Sequence, residues 1–276
     1  MASTDYASTG STNNIRWCAC AECGSGRRDD ALWRVALAEG AGAALLVLLT
    51  CLPGCGPAAA VSPLYRAVAS GLVVALLVQC LDHVSGAQMN PTVTLAALLW
   101  GRVSGTRALA MMCAQLVGAS AGGALLHVLQ PRDVPDLCVT LPAEHVAVYK
   151  AVVLEAVLGG CLALANCASW DARNTSLRDS WPLRIGLSVA GLSLVGGELT
   201  GASMNPVRSF GPALWSGNWT NHWVYWVGPL TGSVLFTGTY IGAWRPRTAH
   251  CDVTTRRDSS ENIHAPPLPG KTRTEP

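Results

Sequence analysis

Two stretches decide the fold: Ser85-Gly86-Ala87-Gln88-Met89-Asn90-Pro91 and Thr200-Gly201-Ala202-Ser203-Met204-Asn205-Pro206. They are nearly one phrase written twice, 115 residues apart. Glu39 and Glu155 recur in step with them, 116 residues apart. Two independent markers at one period define an internal repeat. Around the phrases, long apolar segments fall at about residues 32–52, 64–81, 107–129, 148–169, 183–199 and 222–243. Two shorter ones, 90–100 and 205–215, begin at the Asn-Pro pairs. Crossing about 30 Å of hydrocarbon takes roughly 20 apolar residues, so the long segments read as spans and the short ones as re-entrant helices. Three spans per unit is an odd number, so the second unit must cross the membrane upside down. Inverted repeats with half-length helices are the plan of membrane transport proteins, with the site at the midplane.

Composition agrees. Of 276 residues, 50% are hydrophobic and 13% charged, and the mean hydropathy is +0.31. A soluble domain carries about twice that charge fraction. A net charge of +2 excludes a polybasic nucleic-acid binder, and the apolar content excludes a disordered chain. The chain divides into a disordered tail at 1–31, a first repeat at 32–130, a connecting loop at 131–147, a second repeat at 148–244 and a second tail at 245–276. The first apolar run begins beyond residue 30, which does not fit a secretory leader. If both tails are cytoplasmic, all of the 19 Lys and Arg except Arg66, Arg132, Lys150 and Arg208 fall on the inner side. The positive-inside rule therefore places both termini in the cytoplasm and the 131–147 loop outside.

Asn-Pro has a physical meaning. Asn is a favoured helix N-cap, and Pro is preorganised for the first helical position. Each pair starts a short helix whose N-terminus carries roughly half a positive charge. Two such tips meeting at the bilayer centre, with the Asn90 and Asn205 amides turned inward, admit neutral hydrogen-bonding solutes and repel cations. The segments before the tips, about 83–89 and 199–204, should be extended, with carbonyls lining the path. Such backbone survives only against water or protein. Glu39 and Glu155 are then the natural buried acceptors for its N–H groups. The plainer reading, carboxyls tolerated at helix ends, fits poorly, because each sits well inside an apolar run where an unpaired charge is costly.

These residues resemble the aquaporins, or major intrinsic proteins, over about residues 32–244: two Asn-Pro boxes (Asn90, Pro91, Thr92 and Asn205, Pro206, Val207), the paired Glu residues, His83, and Arg208-Ser209-Phe210-Gly211. The resemblance implies an all-α bundle of six transmembrane helices plus two re-entrant half-helices, assembled as a homotetramer of independently conducting monomers, plausibly in the plasma membrane. It places His83 at the inner mouth, although an ordinary interfacial histidine is the simpler reading. It also implies a filter near the outer mouth, carried over by counting from the boxes: Arg208, Ala202, Ser70 and Ser193. In members that resemble strict water channels, the last two positions hold an aromatic residue and a histidine. Here both are serine, and no Phe, Trp, Tyr or His lies within 66–82 or 182–200 to take their place. Serine widens the aperture and offers hydroxyls to a polyol, while Arg208 keeps a cationic fork that donates to neutral oxygen acceptors and opposes cations. The expected permeants are water, glycerol and urea. Ser209 after Arg208, and compact loops, are instead in the water-channel style. The combination resembles the insect branch of glycerol-permeable aquaporins, and a strict water channel stands as the alternative.

Neither an enzyme nor a cofactor is expected, because scattered serines lack a His/Asp partner at any informative spacing. Cys18, Cys20 and Cys23 have no fourth zinc ligand nearby and fit inert thiols or palmitoylation. Cys51, Cys55 and Cys138 could face outside, but no pairing follows from sequence. Asn218-Trp219-Thr220 is a sequon close to the last span, and Asn174-Thr175-Ser176 should be silent on the inner side. A junctional scaffold with little conductance would need longer tails than these.

Overall fold

A computed structural model describes residues 31–55, 62–131 and 138–246, and every regular element among them is helical. The tails expected at 1–31 and 245–276, with the Cys18/Cys20/Cys23 trio, lie almost wholly outside the described residues. Eight α-helices follow in order: α1 (Leu32–Cys51), α2 (Pro63–Ser85), α3 (Pro91–Trp100), α4 (Gly105–Leu129), α5 (Val148–Trp170), α6 (Trp181–Thr200), α7 (Pro206–Ser216) and α8 (Val224–Thr239). Helices α1, α2, α4, α5 and α6 are long and apolar enough to cross a membrane. Helix α8 has 16 residues and runs into a five-residue π turn, Tyr240–Trp244. At about 1.5 Å per residue the two together reach span length.

The short helices begin where the Asn-Pro pairs place them. Asn90 and Asn205 are extended N-caps, with Pro at the first helical position of α3 and α7. The irregular segments before them are shorter than the sequence suggests. Helices α2 and α6 run on to Ser85 and Thr200, so only residues 86–89 and 201–204 leave the helical path. Gly86 and Gly201 explain the stop: both sit at left-handed φ, +91° and +82°, where the helix closes without a Cβ penalty. Ser85 and Thr200 delay it, since each hydroxyl accepts the N–H two residues on, from Ala87 (3.0 Å) and Ala202 (3.2 Å).

Close helix crossings hold the bundle together. Lipid tails are as apolar as leucine, so association in a membrane relies on tight packing at small residues. Helix α1 crosses α4 where a Cβ on Gly118 would stand 1.9 Å from the Gly40 carbonyl oxygen. Helix α5 crosses α8 in the same way, with Gly232 1.9 Å from the Ala156 oxygen. Between the repeats, α2 meets α6 at Gly71 and Gly186, each of which would strike the other's carbonyl within 2.5 Å. The half-helices are exchanged: α3 packs on α5 and α8 of the second repeat, and α7 on α1 and α4 of the first. Large apolar side chains such as Leu37, Leu72, Val117 and Val195 point away from the core, as a lipid-facing surface requires.

Candidate functional site: a polar lumen between the half-helix tips

The 86–89 and 201–204 segments owe their shape to the two buried carboxylates. Glu39 accepts from the backbone N–H groups of Gln88 (2.9 Å) and Met89 (2.6 Å), and from the Ser85 hydroxyl (2.6 Å). Glu155 does the same for Ser203 (2.9 Å), Met204 (2.9 Å) and the Thr200 hydroxyl (2.7 Å). Both carboxylates are fully buried, so this ring of donors is what makes their desolvation tolerable. Ala87, Met89, Ala202 and Met204 all sit at positive φ, between 42° and 54°. Such backbone costs of order 1 kcal/mol or more per residue and persists only where neighbours over-determine it. The Glu bridges provide that restraint.

The tips of α3 and α7 are joined reciprocally. Asn90 Oδ1 accepts from the Thr92 N–H (2.8 Å), and its amide nitrogen donates to the Met204 carbonyl (3.0 Å). Asn205 Oδ1 accepts from Val207 (3.1 Å) and Arg208 (3.4 Å), and its amide donates to the Met89 carbonyl (2.9 Å). The amides therefore do not simply turn inward, as the sequence suggests. Each spends one N–H on the opposite segment, and an amide carries two.

Beside this junction runs a cavity of about 330 Å³. Asn90, Asn205, Ser70, Ser193, Ala202 and Arg208 all line it, as do Gln88 and Asn166. Among the described residues its only aromatic lining group is Trp181, at the start of α6. Ser193 lies twelve residues further along that helix, about 18 Å away at the α-helical rise. The Arg208 end of the cavity thus holds no ring. His83 is exposed in the last turn of α2 and is not part of this lining. Arg208 donates through Nη1 to the Cys138 carbonyl (3.3 Å) and through Nη2 to Cys138 Sγ (3.4 Å). Cys138 is itself disulfide-bonded to Cys51 at the end of α1.

Several supporting residues carry no repeat signal and escape a sequence reading. Gln115 in α4 donates to Glu39 Oε2 (2.7 Å) and to Thr94 Oγ1 (3.0 Å). The Tyr225 hydroxyl donates to the Thr200 carbonyl (2.8 Å). Ser203, Ser209 and Thr140 form a buried hydroxyl chain, 2.6 Å and 2.7 Å between oxygens, beneath α7.

A helical bundle with an exchanged pair of half-helices and a cavity beside their junction, lined by apolar and polar groups, is the architecture of a membrane channel. Residues 27–240 match the family "Major intrinsic protein". The chain is similar to the lens fiber major intrinsic protein of Gallus gallus, 41% identical over 227 residues, covering 80% of this chain and 85% of that one. It is also similar to aquaporin-4 of Bos taurus, 41% identical over 171 residues, which spans about half (53%) of that relative's length. Among solved structures, the aquaglyceroporin from Plasmodium falciparum superposes with a TM-score of 0.69 at 21% identity, covering 76% of this chain and 96% of that one, a likeness of fold. The chain belongs to the major intrinsic protein family, and so to channels rather than enzymes.

Proposed function

We propose that the protein is a passive transmembrane channel for water and for small neutral solutes, glycerol and urea among them, that excludes ions and protons. One observation carries the reading: a single cavity lined by the asparagines of both half-helix tips and by Arg208, Ser70 and Ser193, with Trp181 as its only ring among the described residues. Partial positive charge at both tips opposes cations. The amides and the guanidinium replace part of a neutral solute's hydration, and Ser70 and Ser193 leave space for a molecule wider than water. Glu39 and Glu155 brace the two lining segments, and His83 belongs to the inner approach. In the same reading the chain works as a homotetramer in the plasma membrane, with both termini cytoplasmic and lipid around its apolar faces.

A second reading is favoured by Ser209 after Arg208 and by the compact loops: a pore that passes water alone. Stopped-flow swelling of vesicles carrying the protein decides between them. In an inward glycerol or urea gradient, swelling well above that of protein-free vesicles is expected. Osmotic water flux with no solute-driven swelling would leave only the water channel.

A further inference from the structure

The pore reading assigns no role to the disulfide, yet it ends at a segment that holds Arg208. Among the described residues both hydrogen-bond partners of that guanidinium belong to Cys138, its carbonyl oxygen and its Sγ. The segment beyond Cys138 is pinned independently: Thr140 donates to Ser209 Oγ (2.7 Å), and the Ala143 N–H donates to the Leu199 carbonyl (2.9 Å). Cys138 adopts φ +68°, a left-handed conformation that non-glycine residues seldom hold without restraint. The bond to Cys51 supplies that restraint, tying the segment to α1 across 87 residues of sequence. Both cysteines line the lumen beside Arg208.

We propose that the Cys51–Cys138 disulfide is a positioning device for Arg208, fixing the carbonyl that holds the guanidinium against the wall and so making the solute selectivity of the channel depend on the redox state of this pair. The inference rests on the channel reading given above. Thiol reduction breaks the Sγ–Sγ bond with two electrons and two protons, leaves one thiol on each cysteine, and oxidises a dithiol reductant to its cyclic disulfide. Thr140 and Ala143 keep the segment docked, but Cys138 is then free to leave its left-handed conformation. Its carbonyl moves, and the guanidinium swings from the wall into the ring-free space between Ser70 and Ser193. That obstructs glycerol more than water.

The test is the ratio of glycerol to water permeability in proteoliposomes, for wild type before and after dithiothreitol and for the Cys51→Ser/Cys138→Ser variant. A fall of about threefold or more is expected, of the size seen for residues that act on a site without touching its ligand. Reoxidation with diamide should restore the wild-type ratio but leave the serine variant unchanged. In an Arg208→Val background the serine pair should have no further effect. A staple with no positioning role would lower thermal stability and scale both fluxes together. A ratio that stays constant or rises, in protein that still conducts water and glycerol, overturns the proposal. Wild-type vesicles with no glycerol flux would instead remove the broad-solute reading on which it depends.

Discussion

Ser70 and Ser193 line the same cavity as Arg208, and in the reading proposed above their small size sets what can pass. Restoring bulk should restore discrimination. In Ser70→Phe/Ser193→His, glycerol permeability should fall by about tenfold or more, with water flux kept within a few-fold, as expected when pocket size alone separates two solutes. Parallel loss of both fluxes in the same swelling assay would mean that the width is set elsewhere. Candidates such as Ser70 and Ser193 were reachable in the sequence only through the family resemblance, counted from the Asn-Pro boxes. Gln115, Tyr225 and the Cys51–Cys138 pair were not. They meet their partners across 76, 25 and 87 residues, separations that no periodicity announces.

Between α5 and α6 the 3-10 segment Ala172–Ser180 hangs from a single buried carboxylate, Asp171. Arg173 grips it through Nε (2.9 Å) and Nη2 (2.6 Å), and Nη2 also donates to the Trp244 carbonyl (2.7 Å). The Tyr240 hydroxyl donates to the same carboxylate (3.2 Å). The Arg173 guanidinium holds the Asp171 carboxyl well below its ordinary value, at about 2. Its folded pKa is thus lower than the value of about 3.9 in an unfolded chain. The stabilisation is complete above about pH 4 and is lost as pH falls toward 2. In detergent-solubilised protein, pepsin cleavage within the Ala172–Ser180 segment should rise across that window, relative to Asp171→Asn, which should be cut from the start. Identical profiles would show that the clasp does not hold the segment. Span boundaries were legible in the sequence to within a few residues. The irregular segments were overestimated by two or three residues, because the helices run on to the left-handed caps at Gly86 and Gly201.

Among the described residues one helical order occurs twice, α1–α4 and α5–α8, and each short helix packs against helices of the other set. Hydropathy and the doubled phrase made that plan readable, whereas the exchange rests on contacts that carry no such mark: α7 packs through Gly211 against Ala119 and Gly123, and Ser233 of α8 donates to the Thr92 carbonyl of α3. In the reading proposed above both termini are cytoplasmic, on the strength of the Lys and Arg distribution in the sequence. Trypsin added to intact cells should therefore spare Arg256 and Arg257 and cut there only after permeabilisation, read by mass spectrometry of the released C-terminal peptide; cleavage in sealed cells would reverse the topology. The paired amide-to-carbonyl bonds that knit Asn90 to Met204 and Asn205 to Met89 carry one last implication. In the channel proposed above, a molecule arriving from either compartment meets an asparagine amide bonded across to the opposite segment. Net traffic then follows concentration in either direction, since passive permeation is coupled to no source of energy.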